Sequence, residues 1–114
     1  MTKHKIVLVP FPFDDLSSTK IRPAVCLTDA IGPHKHVILA FITSRVPDEL
    51  LPTDFVIADN ALEFAVTGLR ISSTLQLHRM ITVTTGIIAR ELGELPATMQ
   101  AEVEKRLKAL FGIR

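Results

Sequence analysis

Ile6-Val7-Leu8-Val9, followed by Pro10-Phe11-Pro12-Phe13, the polar run Asp14 to Lys20 and then Ile21-Arg22-Pro23-Ala24-Val25, is the stretch whose reading decides the fold. The first four residues are apolar and rich in β-branched side chains, which favour a pleated strand over a helix. Two prolines at a spacing of two predict that this strand ends at Pro10, because each removes a ladder donor. Asp14 to Lys20 has no hydrophobic period and carries Asp-Asp and Ser-Ser, so it reads as an exposed connection. Arg22-Pro23 then opens a second strand, expected over Ala24 to Thr28. The order is strand, polar loop, strand.

Working outward, Asp29 to Lys35 is a turn region around Gly32-Pro33, and His36 to Thr43 is a third, almost wholly apolar strand. Pro47 and Pro52 bracket an acidic connection before a short fourth strand, Phe55-Val56-Ile57. Asn60 and Glu63 have capping-box spacing, which predicts a helical turn from Asn60 to Phe64, ahead of Gly68. Ser72 to Gln76 and Arg79 to Thr84 read as two further β segments. After Pro96 the period changes: Met99, Val103, Leu107, Leu110 and Phe111 recur at helical spacing, and Gly112 is placed to end the helix. Many short strands and one terminal amphipathic helix predict a mainly β fold, a small, strongly bent barrel capped by that helix.

With 114 residues and 47% apolar composition, the chain has enough material for one hydrophobic core and is expected to be a single domain. Its one cysteine, Cys26, lies in an apolar run and is expected to be a buried thiol, which fits a reducing cytosol. No stretch approaches the ~18 apolar residues of a membrane span, so the expected location is cytoplasmic. Net charge is only +1. Its distribution is uneven: Lys and Arg against Asp and Glu number six to three over residues 1–45, none to five over 46–69, and seven to four over 70–114. Such segregation is compatible with a basic groove made by the first and last thirds, and equally with scattered solvated charge.

Arg22 stands at the junction of a polar loop and a buried strand, with Pro23 fixing the chain beside it. A guanidinium on that mount can hold two phosphate oxygens and stabilise the added charge of a pentavalent transition state; a surface ion pair with Asp14 or Asp15 is the plainer alternative. Thr43-Ser44 places two hydroxyls at the end of the third strand, able to donate to a phosphate or simply to close a turn. Gln76 and His78 are two apart and would project from one face of an extended strand. His78 has the chemistry of a general acid or base near neutral pH. Phe13 can stack on a base or belong to the core. His34-Lys35-His36 offers two imidazoles, an intervening cation and no third ligand nearby, so no metal and no other cofactor is expected. No phosphate-cradling glycine loop or nucleophile elbow is present, which removes support for nucleotide-triphosphate chemistry and acyl transfer.

Taken in order, Ile6 to Ser18, Lys20 to Val25, Phe41-Ile42-Thr43-Ser44, Gly68-Leu69 to Ser73 and Met99 to Gly112 resemble MazF/PemK-type toxins over nearly the whole chain. The resemblance implies a homodimeric, barrel-like toxin of a type II toxin-antitoxin system. Such a toxin cleaves single-stranded RNA, often mRNA, without a metal, and is neutralised by a small antitoxin that occupies the RNA groove. The family's Arg-Pro arginine falls on Arg22 and its strand-end hydroxyl on Thr43. Phe13, Asp14, Lys20, Ser44 and Gln76 are then expected to contact RNA, with His78 joining the catalytic set. Three departures stand out: His4-Lys5 where the family often has Gly-Asp, Gln76 and His78 where an arginine and an acid are common, and Ile81 in place of an arginine. The general base therefore lies between His78, Asp14 and Thr43 acting through water. A CcdB-like toxin that binds a topoisomerase without catalysis, and an RNA-binding module that has lost catalysis, are the alternatives.

Overall fold

The computed structural model describes residues 2–11 and 20–114, and of Phe11 only its backbone. Six strands, β1 (Lys5–Phe11), β2 (Lys20–Cys26), β3 (His36–Thr43), β4 (Asp54–Ile57), β5 (Ser73–Thr84) and β6 (Arg90–Glu94), form one antiparallel sheet in the order β4-β5-β3-β2-β1-β6. The sheet curls into a half-barrel, and the helix α1 (Ala97–Phe111) covers one side. The mainly β fold with a C-terminal helix is as the sequence predicts.

Alternation along β3 explains how the sheet is held. Val37, Leu39 and Phe41 enter one buried cluster, with Val7, Val9, Ala24 and Cys26; Ala40 and Ile42 enter a second, with Ile6, Val25, Leu75, Leu77 and Leu95. Helix α1 adds Met99 and Val103 to the second cluster, while Phe111 is 60% exposed. An apolar run without polar alternation is what a strand buried on both faces requires. Truncating a side chain such as the fully buried Leu39 would cost about 2–5 kcal/mol.

Several boundaries differ from expectation, each for a tertiary reason. β1 continues through Pro10 to Phe11, and β2 begins at Lys20 with Pro23 inside it. Leu8 accepts a hydrogen bond from the Ala89 N–H (2.9 Å), so the backbone polar groups of Leu8 and, by alternation, Pro10 face the β6 side of β1. Pairing with β6 stops at Leu8. Pro23 is opposite Leu8 and faces the β3 side of β2, where pairing starts only at Ala24. Both missing N–H groups thus point where no strand partner is paired. The two predicted segments Ser72 to Gln76 and Arg79 to Thr84 are one twelve-residue strand, β5, whose register against β3 jumps from Phe41↔Gln76 to Ala40↔Met80. The helical turn predicted at Asn60 to Phe64 is instead a 3₁₀ turn at Phe64–Thr67, with no side-chain cap. β6 was not legible in the sequence. Lys5 ties it to β1 through Glu91 (2.9 Å) and Glu94 (3.7 Å), and the hydrogen bond to Glu91 raises the Lys5 ammonium above its ordinary pKa.

The 3₁₀ turn lies against β6 through two glycines. A Cβ on Gly93 would run into the backbone of Val66 and Thr67, and one on Gly68 (φ +74°) into the backbone of Leu92. Gly112 has a similar φ, +68°, and open space around it. Gly112→Ala should therefore lose only the conformational term, ~1 kcal/mol, whereas Gly93→Ala forces backbone apart and should lose about 1–3 kcal/mol. Urea unfolding midpoints check this; equal losses would mean that the close approach of the turn to β6 is absent.

Candidate functional site

β2 and β3 part beyond Ala24 and Phe41, which face each other. Carried two residues further, that register sets Arg22 level with Thr43. Alternation puts both on the face of the Val9–Ala24–Phe41 cluster, and Val9, directly opposite Arg22 on β1, belongs to it. Across the next ladder Thr43 faces Thr74 and Phe41 faces Gln76. The sheet thus assembles Arg22, Thr43, Thr74 and Gln76 at one end of a common face. Arg22 and Thr43 are half-buried, and Lys20 and Ser44 are exposed. Phe13 and Asp14 lie outside the described residues.

Thr43 Oγ1 accepts from the Arg45 N–H (3.3 Å), the turn-closing bond open to a strand-end hydroxyl. Thr74, fully buried, donates its hydroxyl to the Arg45 carbonyl (2.8 Å). Arg45 is therefore held from two neighbouring strands, and the chain leaving β3 is fixed just past Thr43. The hydroxyl proton of Thr43 is not consumed by the bond it accepts, so it can still donate to an anion.

Gln76 and His78 take different partners. The register jump in β5 begins after Gln76 and takes in His78, so the simple two-residue alternation expected of a regular strand is interrupted there. Gln76 Oε1 is 3.5 Å from Arg79 Nη1, whereas the exposed His78 ring has Nδ1 2.8 Å from Thr53 Oγ1. Thr53, the buried Asp54 and Arg106 were not found by sequence reasoning. Arg106 on α1 donates through Nη1 to the carbonyls of Pro52 (2.9 Å) and Asp54 (3.0 Å), and through Nε to Glu102 (2.9 Å). The only local signal was the Glu102–Arg106 spacing of four, and it marks a helix face rather than a site.

Among the described residues no three His, Cys, Asp or Glu side chains converge as a metal site. His34 and His36 are neighbours with ring centres 6.0 Å apart. No described helix is long and apolar enough to cross a membrane. Cys26 is fully buried, as expected, and burial pushes its thiol up to about 11.

The PemK-like, MazF-like toxins of type II toxin-antitoxin systems match residues 2–111 by sequence profile. No curated protein matches the chain closely in sequence. Among solved structures, the Mycobacterium tuberculosis toxin MazF-mt6 superposes with a TM-score of 0.73 at 23% identity, over 96% of this chain and 98% of its own. An endoribonuclease from a mycobacterial species, solved in complex with its cognate antitoxin, gives a TM-score of 0.72 at 11% identity, over 100% and 97% of the two chains. At these identities the superpositions establish the shared fold.

A buried thiol with a raised pKa is a poor nucleophile. Native protein at pH 7.5 should resist iodoacetamide for hours and react within minutes once urea unfolds it. Rapid alkylation of the native chain would show that Cys26 is reachable.

Proposed function

The chain belongs to the PemK-like, MazF-like toxin family of type II toxin-antitoxin systems, and on that premise we propose that it is a metal-independent endoribonuclease of single-stranded RNA, mRNA above all. The observation that carries this reading is the common row of Arg22 and Thr43 at the parting of β2 and β3. A charged fork on β2 where it parts from β3, level with a hydroxyl at the end of β3, suits a phosphodiester better than a neutral ligand.

The proposed reaction is an internal transesterification. The ribose 2′-oxygen attacks phosphorus, the bond to the 5′-oxygen breaks, and the products are a 2′,3′-cyclic phosphate and a 5′-hydroxyl. One proton leaves the 2′-oxygen for a base, and one reaches the departing 5′-oxygen from an acid. The nucleophile comes from the substrate, so no metal is needed to generate one. Arg22 holds the non-bridging oxygens and gains interaction as charge builds on them. Thr43 donates to the same phosphate. His78 exchanges the proton, with Nε2 as the nitrogen not engaged by Thr53; Asp14 is the rival base. Lys20, Ser44, Gln76 and Phe13 extend the RNA contact. We further place the protein in the cytoplasm as a homodimer whose groove is closed by a cognate antitoxin, a partner that the mycobacterial endoribonuclease complex makes concrete for a protein of this fold.

Purified protein should cleave a mixed-sequence RNA at the same rate with and without EDTA, leaving cyclic-phosphate ends. Arg22→Ala should slow cleavage roughly 100-fold or more, and Arg22→Lys should stay impaired because a point charge does not reproduce the fork. Full activity of a folded Arg22→Ala variant would refute the site; activity lost in EDTA and restored by a divalent ion would refute the metal-free mechanism. With a histidine as base, the rate rises with pH as the imidazole gives up its proton. That limb should vanish in His78→Ala, and its survival would transfer the role to Asp14 or to Thr43 through water.

A further inference from the structure

Residues 51–54, the turn that enters β4, are held by two elements distant in sequence. Three consecutive carbonyls each accept a hydrogen bond: Pro52 from Arg106 Nη1 (2.9 Å), Thr53 from the Leu77 N–H (3.0 Å) and Asp54 from Arg106 Nη1 (3.0 Å). The turn also closes on itself, since the Asp54 N–H donates to the Leu51 carbonyl (2.9 Å) and the Leu51 N–H donates to Asp54 Oδ2 (3.0 Å). Asp54 is 4% exposed, and its Oδ1 is buried without a hydrogen-bond partner. Keeping a half-satisfied carboxylate there costs stability. What the turn presents is Thr53, whose hydroxyl meets His78 Nδ1 at 2.8 Å. An exposed imidazole is ordinarily free to rotate and to exchange tautomers, and here one nitrogen is bound to a rigid mount instead.

We propose that Thr53 is a positioning residue for His78: it accepts the Nδ1–H, fixes the neutral ring in the Nδ1–H tautomer, and leaves the Nε2 lone pair as the acceptor of the substrate proton. This rests on the reading of His78 as the proton-exchanging group. Arg106 takes part from α1 by bonding the carbonyls on both sides of Thr53, so the terminal helix braces the ring through the turn. The direction of the Thr53 bond decides the chemistry. A hydroxyl that donates to Nδ1 would put the neutral ring's proton on Nε2, and the ring could not then act as a base at that atom. Charged groups on the elements around this contact are Arg79 on the strand of His78, Asp54 in the turn, and Arg106 with its ion-pair partner Glu102 on α1. None of them is altered by substitution of Thr53.

The test follows the ring nitrogens of His78 by ¹⁵N NMR on the full chain, across a pH titration, in the unaltered protein and in Thr53→Ala and Thr53→Ser, with RNA cleavage measured in parallel. Above the titration midpoint the unaltered protein should show Nδ1 protonated and Nε2 bare. Thr53→Ala should move both signals toward the averaged values of a free imidazole and lower kcat by roughly 10–100-fold with little change in KM; Thr53→Ser should restore both readouts. A neutral ring protonated at Nε2 in the unaltered protein, or identical ring signals in Thr53→Ala, overturns the proposal. Altered signals with unchanged cleavage in Thr53→Ala, beside an impaired His78→Ala, overturn the positioning role and leave His78 its own. Full activity of His78→Ala sinks the reading of His78 and the role of Thr53 with it, while the NMR signals still report whether the bond exists.

Discussion

β3 must be apolar on both of its faces, and most of the structure depends on that. Its odd-numbered side chains Val37, Leu39 and Phe41 build one cluster, and Ala40 and Ile42 join the other. A shift of one residue in its pairing would exchange the two sets and turn Thr43 to the helix side. The register with β2 and β5 is therefore strongly specified by packing. The placement of Arg22 and Thr43 on one face is a consequence of that register.

The same sheet tolerates irregularity where it carries chemistry. Prolines 10 and 23 lie at positions whose missing donors face the ends of neighbouring ladders, so β1 leaves β6 and β2 leaves β3 there without losing a bond that the fold needs. β5 takes three additional residues, Leu77 to Arg79, between its pairings with Phe41 and Ala40. Leu77 remains buried in the helix-side cluster, which anchors the irregular segment, while His78 and Arg79 are exposed beside it. One apolar anchor among exposed polar residues holds the segment in place and leaves its polar groups outward.

Helix α1 does more than cover the core. Met99 and Val103 supply the packing, and a half-buried i,i+4 pair such as Glu102–Arg106 adds only ~0.3–0.5 kcal/mol of its own. The contacts of Arg106 with the carbonyls of Pro52 and Asp54 are of another kind, because they join the last element of the chain to the turn before β4. The acidic middle of the sequence and its basic final third thus meet through backbone carbonyls as acceptors, with Asp54's carboxylate engaged by Leu51 instead of by the guanidinium. Counting charges along the sequence had not distinguished these cases.

Local grammar was enough for much of the fold. The apolar run of β3 lies at His36–Thr43 as read, the helical period after Pro96 becomes α1, and Gly112 ends it in the left-handed conformation. Arg22 and Thr43 were visible as polar residues at strand ends, since a polar residue bordering an apolar run is a local signal. Tertiary structure alone decided the rest. β6, Arg90–Glu94, has little apolar alternation and is a strand because β1 offers it an edge and Lys5 an ion pair. Pro10 and Pro23 are inside strands because of where other ladders stop. Thr53 meets His78 across 25 positions of sequence because Arg106 and Leu77 hold its turn. Periodicity records which face of an element is apolar, whereas such contacts depend on which distant backbone groups are left to be satisfied once the elements have packed.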